Sequence, residues 1–283
     1  MIVRASEAAL RAAQSWKLAW VPAPPRGQAG EHLGRGTGSS LEFQDRRTYQ
    51  AGDDVRHLDW RSFARTGELT VKLYREELLP RLDLLVDTSA SMAVDEPKAQ
   101  LAADFATFLA LAARRQGFAV RLVELSDAPQ RLDLDALESR GLDFAGRLPL
   151  SATFEGGLAA LRPGTLRVLV SDFLCPHDAA TVVRSLAARA GGLALVQLLS
   201  PADVEPEVGS ALRMEDAETG ALREVVLDPA TVGDYLARLA RLTEVLELEC
   251  RRAGARFQRL VAGRPFDELC REELARAAWV VPG

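Results

Sequence analysis

A chain of 283 residues with 48% hydrophobic and 27% charged side chains has the make-up of an ordinary globular protein, long enough for one large or two modest domains. Its formal charge of −5, from 35 basic and 40 acidic residues interspersed along the chain, provides no concentrated basic surface and argues against nucleic acid as a partner. The cysteines Cys175, Cys250 and Cys270 are too scattered for a disulfide framework, and no apolar run approaches the roughly 20 residues of a membrane span. The expectation is therefore a cytoplasmic protein without direct membrane insertion.

Residues 4 to 20 carry an amphipathic helical pattern stopped by Pro22, Pro24 and Pro25, and their regularly spaced charges do not suit a signal peptide. The loop Gly34 to Ser40 is rich in glycine and serine. It has no lysine after its last glycine and no apolar strand before it, so it reads as a linker or binding loop rather than a phosphate cradle. In the block 41 to 77, Gln50-Ala51-Gly52 predicts a turn, Asp53 or Asp54 a cap for a helix running toward Ala64, and Gly67 its end. Leu69, Val71 and Leu73 alternate as in a half-buried strand.

From Arg81 the pattern is βαβ. Strands are predicted at 82–86, 118–125, 166–170 and 193–199, and helices at 98–116, 154–161 and 179–190. That alternation predicts a parallel sheet covered on both faces. Beyond Ser200 come a hairpin around Glu218-Thr219-Gly220, a long helix from Pro229 to Ala253, a strand at 256–261 and a last helix at 266–278.

The chemistry concentrates in Leu84-Leu85-Val86-Asp87-Thr88-Ser89-Ala90-Ser91. Asp87 ends an apolar strand, at the edge where open α/β sheets bind ligands, and Ser89 and Ser91 follow at alternate positions. One carboxylate and two hydroxyls are hard oxygen donors, suited to Mg²⁺ (or Mn²⁺ or Ca²⁺) and poor for zinc. Asp172 ends the strand at 166–171 and should face the same edge; Thr153 stands where its hydroxyl could cap a helix or join the ligands. Each residue alone is more economically a helix cap or turn former. Together, two strand-end aspartates and three hydroxyls favour a metal centre with a coordination position left open for an acidic side chain of a partner. The run Leu85-Val86-Asp87-Thr88-Ser89-Ala90 also looks like an aspartic-protease motif, but Ser89 stands where that motif needs glycine, and a second copy is missing. With three histidines and no Gly-x-Ser-x-Gly elbow, a Mg²⁺-dependent hydrolase is the weakest reading and a non-catalytic protein the expected one.

Asp87-x-Ser89-x-Ser91 with Thr153 and Asp172 resembles the metal-ion-dependent adhesion site of von Willebrand factor A domains. The block Phe43 to Arg56, followed by Asp59-Trp60-Arg61 and Ala64-Arg65-Thr66-Gly67, resembles the hallmark of a bacterial family, domain of unknown function fifty-eight. The likeness is strong over about Gly34 to Phe173. It implies a von Willebrand factor A-like (Rossmann-like) α/β domain at 81–283, a signature subdomain at 34–80 packing on the sheet, and an N-terminal helix and linker at 1–33. It further implies a protein-binding adaptor working with a MoxR-type AAA+ ATPase in chaperone-like assembly or maturation of client proteins. Many relatives carry N-terminal membrane spans that this sequence lacks, and Ser151-Ala152 precede Thr153 where relatives often have glycines. An alternative is a metal-independent scaffold that binds through the 43–65 surface. Asp53, Asp54, Arg56, Asp59, Trp60 and Arg65 are its candidate contacts, although caps and charge pairs explain most of them equally well.

Overall fold

The computed structural model describes residues 1–19, 41–76, 80–148, 150, 152, 161–209, 211–215 and 222–283. Two compact units result, one of residues 1–22 with 80–283 and the other of residues 23–79.

The larger unit is organised by six strands: β5 (Arg81–Asp87), β6 (Ala119–Leu125), β7 (Pro129–Leu132), β9 (Leu166–Ser171), β10 (Gly192–Leu199) and β13 (Arg256–Val261), numbered with the short strands introduced below. They lie side by side as β13-β10-β9-β5-β6-β7, all parallel except β7, which runs antiparallel to β6 at the edge. The expected mostly parallel sheet is what forms. Its middle strands are apolar through most of their length because both faces are covered, and their side chains sort by parity. Leu82, Leu84 and Val86, Val168 and Val170, and Val196 and Leu198 face the long helix α3 (Glu96–Arg115) and its neighbours. Leu85, Leu169, Leu193 and Leu195 face the other way, onto α5 (Ala179–Ala187) and Leu246 and Cys250 of α7 (Pro229–Arg252).

The N-terminal residues are part of this unit rather than a separate piece. β1 (Ile2–Val3) pairs with β8 (Leu142–Asp143), and α1 (Glu7–Ser15) buries Ala9, Ala12 and Ala13 in the α3 face. The helix stops well before the prolines, because Trp16 turns extended and β2 (Trp16–Leu18) pairs with the C-terminal β14 (Val280–Pro282). The expected helix at 266–278 is shorter: one α turn, α8 (Phe266–Leu269), widens into a π turn at Cys270–Leu274. Among the elements not legible are the edge strand β7 and α4 (Leu134–Ser139), both too short to show a period. α6 (Pro201–Val204), a single turn, follows β10. The hairpin arms β11 (Ala211–Glu215) and β12 (Leu222–Val226) pair as expected; their turn, the Gly34–Ser40 loop and the helix expected at 154–161 up to Ala160 lie outside the described residues.

In the smaller unit β3 (Leu41–Thr48) pairs antiparallel with β4 (Thr70–Glu76), with a bulge at Phe43/Asp45. The capping of its helix differs from expectation. Asp54 caps only a 3₁₀ turn at Val55–His57, while α2 (Trp60–Thr66) is capped by Asp59, whose carboxylate accepts from the Ser62 amide at 3.1 Å. The helix begins later because Leu58 and Asp59 are held out of it, with Asp59 N–H bonded to Thr70 O of β4. Gly67 ends it at φ +73°, as expected.

Candidate metal centre

Strand order fixes where a site can open. β5 and β9 are neighbours, yet the chain leaves β5 toward one edge strand and β9 toward the other. Between them lies the switch point at which doubly wound sheets form a crevice beyond the strands' carboxyl ends. Asp87 is the last residue of β5 and Ser171 the last of β9, with Asp172 directly after it, so the two neighbouring strands end here side by side.

Asp87 is buried, with 2% exposure, and among the described residues its hydrogen bonds come from this edge. Its Oδ1 accepts from the Ser89 amide at 3.0 Å and the Ser89 hydroxyl at 2.7 Å; its Oδ2 accepts from the Ser171 hydroxyl at 2.6 Å. Ser89 Oγ lies 3.0 Å from Ser91 Oγ. The turn carrying them is held against Gly146: Ala90 N–H donates to Gly146 O at 2.8 Å, and Gly146 N–H to Thr88 O at 3.2 Å. A Cβ on Gly146 would stand 3.1 Å from Thr88 O and from Ser126, tighter than ordinary contact, so a side chain there would require these neighbours to shift. Burial, and after it the negative charge of Asp172, pushes the Asp87 carboxyl up to about 6, against the hydrogen bonds from Ser171 and Ser89.

Asp172 sits across the crevice, also buried. Phe173 beside it takes a left-handed φ of 59°, unusual for a bulky residue, and its ring is fully buried. Asp172 Oδ1 accepts from the Leu174 amide at 3.0 Å, and its main-chain oxygen accepts from Gln197 at 3.1 Å. Its Oδ2 is taken by Lys98 of α3, at 2.8 Å. Burial alone would lower the Lys98 pKa, but Asp172 and then Asp203 outweigh it and hold the ammonium above its ordinary value.

Whether these residues suit a metal can be judged from the donors. Among the described residues no three His, Cys, Asp or Glu side chains are placed to hold one metal ion. The set here is instead two carboxylates and hydroxyls, which suits Mg²⁺ rather than a softer ion. Octahedral ligands about 2.1 Å from Mg²⁺ stand about 3 Å from one another. The 2.7 Å from Asp87 Oδ1 to Ser89 Oγ and the 3.0 Å from Ser89 Oγ to Ser91 Oγ are close to such edges. Asp87, Ser89 and Ser91 therefore fit a hard divalent cation. Asp172 stands on the same edge, as expected, with its charge already matched by Lys98. Thr153 lies outside the described residues.

Sequence reasoning missed Ser171, Lys98 and Asp203. Ser171 was within reach, since it precedes Asp172 at the strand end. Lys98 gave no signal, because a lysine in a helix's first turn ordinarily faces solvent.

In the smaller unit most candidate contacts already have partners. Arg47 reaches Asp53 at 2.5 Å and Arg56 reaches Asp54 at 2.6 Å. Buried Asp59 meets Arg46 at 2.8 Å besides capping α2. The hydrogen bond from the Ser62 amide is the largest influence lowering the Asp59 pKa. Trp60 is different: it is 61% exposed, and its ring meets that of Phe63 edge-on at 6.4 Å between centroids. Arg65 is exposed in the last turn of the same helix.

The strand order, the antiparallel edge strand and an Asp-x-Ser-x-Ser turn at the switch point define a von Willebrand factor A-like domain. A profile of the family described as Protein of unknown function DUF58 matches residues 45–134. An uncharacterized protein of Mycobacterium tuberculosis is 34% identical over 223 residues, which cover 73% of this chain and 70% of that protein. The chain belongs to the DUF58 family. Solved structures similar to it include an aerotolerance-related membrane protein from Bacteroides fragilis (14% identity, 64% of this chain and 91% of that one, TM-score 0.39). Another is the SpRpn10 VWA domain (11% identity, 68% and 94%, TM-score 0.36). No described helix of the present chain is long and apolar enough to cross a membrane.

Proposed function

We propose that this protein is a non-catalytic adaptor that captures a partner or client protein through a divalent cation, Mg²⁺ first, seated by Asp87, Ser89 and Ser91. The supporting observation is the cluster of Asp87, Ser89 and Ser91 oxygens at the sheet's switch point, spaced like neighbouring ligands of one hard ion. With so few protein ligands the ion keeps positions for water, and an acidic side chain of the partner takes one of them. Thr153 and Asp172 complete the set in the family pattern. That pattern also suggests the partner, a MoxR-type AAA+ ATPase acting with this protein in the cytoplasm on assembling or maturing clients.

The test is capture of a purified MoxR-type ATPase by the immobilised full chain, with Mg²⁺ and with chelator. Chelation, and separately Asp87→Ala, should each lower the retained ATPase by about tenfold or more, the equivalent of one lost strong contact. Retention unchanged by both would sink the metal bridge.

A second reading is favoured by one observation, the Trp60–Phe63 pair exposed on α2. Exposed tryptophans beside arginine are frequent anchors of protein interfaces. If that surface binds without metal, Trp60→Ala with Phe63→Ala should abolish capture in the presence of chelator. Both side chains are exposed, so the unit should stay folded, which circular dichroism can check.

A further inference from the structure

Lys98 is a charged side chain with only 5% of its surface exposed, and it points from α3 into the crevice that the proposed metal would occupy. Its ammonium lies 2.8 Å from Asp172 Oδ2 and 3.5 Å from Asp203 Oδ2. One carboxylate would already satisfy it. The second is held in place independently, because Asp203 closes the capping box of α6 by accepting from the Ser200 amide at 2.8 Å. The lysine thus has two seats, Asp172 after β9 and Asp203 in the turn after the neighbouring β10. Three carboxylates, those of Asp87, Asp172 and Asp203, against one ammonium leave two negative charges, which is the charge of one divalent ion. Tyr235 stands near the same group, its phenol pushed up to about 12 by burial and then by Asp203 and Asp172.

We infer that Lys98 is a resident cation that competes with the divalent ion for Asp172, with Asp203 as its alternative seat, and so sets how tightly the site holds metal. The inference rests on the metal-bridge reading above. Without metal the ammonium screens Asp172 from Asp87 and keeps the two sides of the crevice together. With a divalent cation in place, Lys98 would turn to Asp203 and leave Asp172 free to serve as a ligand. This exchange costs affinity, so the protein alone holds its ion weakly. A partner carboxylate adds negative charge at the ion and tips the exchange, which makes metal and partner bind cooperatively.

Lys98 is here a positioning residue, and the signs of two substitutions separate this role from a structural one. Lys98→Met removes the competitor at nearly constant shape. Asp203→Asn removes the charge of the second seat while its amide oxygen still accepts the Ser200 cap. Mn²⁺ titrations of the full chain, read by electron paramagnetic resonance of the free ion, should show binding tightened about tenfold or more by Lys98→Met. Asp203→Asn should weaken binding by a similar factor in the wild-type background and have little effect on top of Lys98→Met. Should Lys98→Met fail to fold, Lys98→Gln keeps a hydrogen bond to Asp172 without the charge and must also tighten binding. Equal, measurable affinity in wild type and the lysine variants would overturn the inference and leave the metal reading standing. So would an Asp203→Asn effect that persists undiminished without the lysine. Absence of Mn²⁺ binding in every variant would overturn the metal reading and this inference with it.

Discussion

In chelator at pH 7.5, Asp87→Asn should make the protein more stable by about 2 kcal/mol while destroying its affinity for divalent cations. The two effects have one cause. The Asp87 carboxyl is raised from an ordinary 3.8 to about 6, by burial first and by Asp172 second. A carboxyl that binds its proton more tightly in the folded than in the unfolded chain adds stability at low pH. That contribution is complete below about 3.8 and is lost as pH climbs through about 6. At pH 7.5 the buried carboxylate is a net cost of about 3 kcal/mol, because each tenfold gain in proton affinity on folding is worth about 1.36 kcal/mol. Asparagine removes most of it and keeps one oxygen for the Ser89 amide. At pH 3.5 the wild-type carboxyl is itself protonated and the advantage should vanish. Saturating Mg²⁺ should reverse the order at neutral pH, because only the wild type has the anionic ligand. Urea unfolding of both proteins at the two pH values, with chelator and with Mg²⁺, measures all of this. An asparagine variant less stable than wild type at pH 7.5 in chelator would show that Asp87 is neutralised by some other means.

The elements that carry the site were legible because long apolar runs and a long amphipathic helix leave little choice: β5, β9, β10 and α3 lie within two residues of their expected bounds. With them came the carboxyl-edge positions of Asp87, Ser89, Ser91 and Asp172, since residues ending parallel neighbours share an edge. What stayed hidden depends on partners distant in sequence. Lys98 finds Asp172 74 residues away, and no local pattern distinguishes it from a solvated lysine. The end of α1 is set by pairing of Trp16–Leu18 with Val280–Pro282, a tertiary choice that overrides helix propensity. The cap of α2 was misplaced because three aspartates, Asp53, Asp54 and Asp59, precede the helix, and only the bond from Asp59 N–H to Thr70 O decides among them.

Asp83 is a sharper example of a legible feature read past, and it carries the second large effect. It interrupts the apolar run of β5, fully buried, and its register neighbours are Arg121 on β6 and Arg167 on β9. Each of these three strands thus places a charge at the same level of the sheet, a pattern visible in the sequence as matched interruptions. Arg121 donates to Asp83 at 3.0 and 2.8 Å, Arg162 donates to the same carboxylate, and the Thr165 hydroxyl does so at 3.2 Å. Arg167 turns away to the main-chain oxygens of Leu186, Ala188 and Arg162, its pKa lowered chiefly by burial. Removing the one anion in this group leaves several guanidinium charges facing each other in a half-dry space. Asp83→Ala should therefore lose about 3–5 kcal/mol, the range for breaking a buried pair from one side. Replacing Asp83, Arg121 and Arg162 together by leucine or methionine should cost less, because only the Arg167 guanidinium, held by main-chain oxygens, then remains without an anion. Asp83 lies four residues from Asp87, about 13 Å along the strand, so folded Asp83→Ala should bind Mn²⁺ as the wild type does. A single variant that loses less than about 1 kcal/mol in urea would mean that solvent reaches these arginines and the pair holds little of the sheet together.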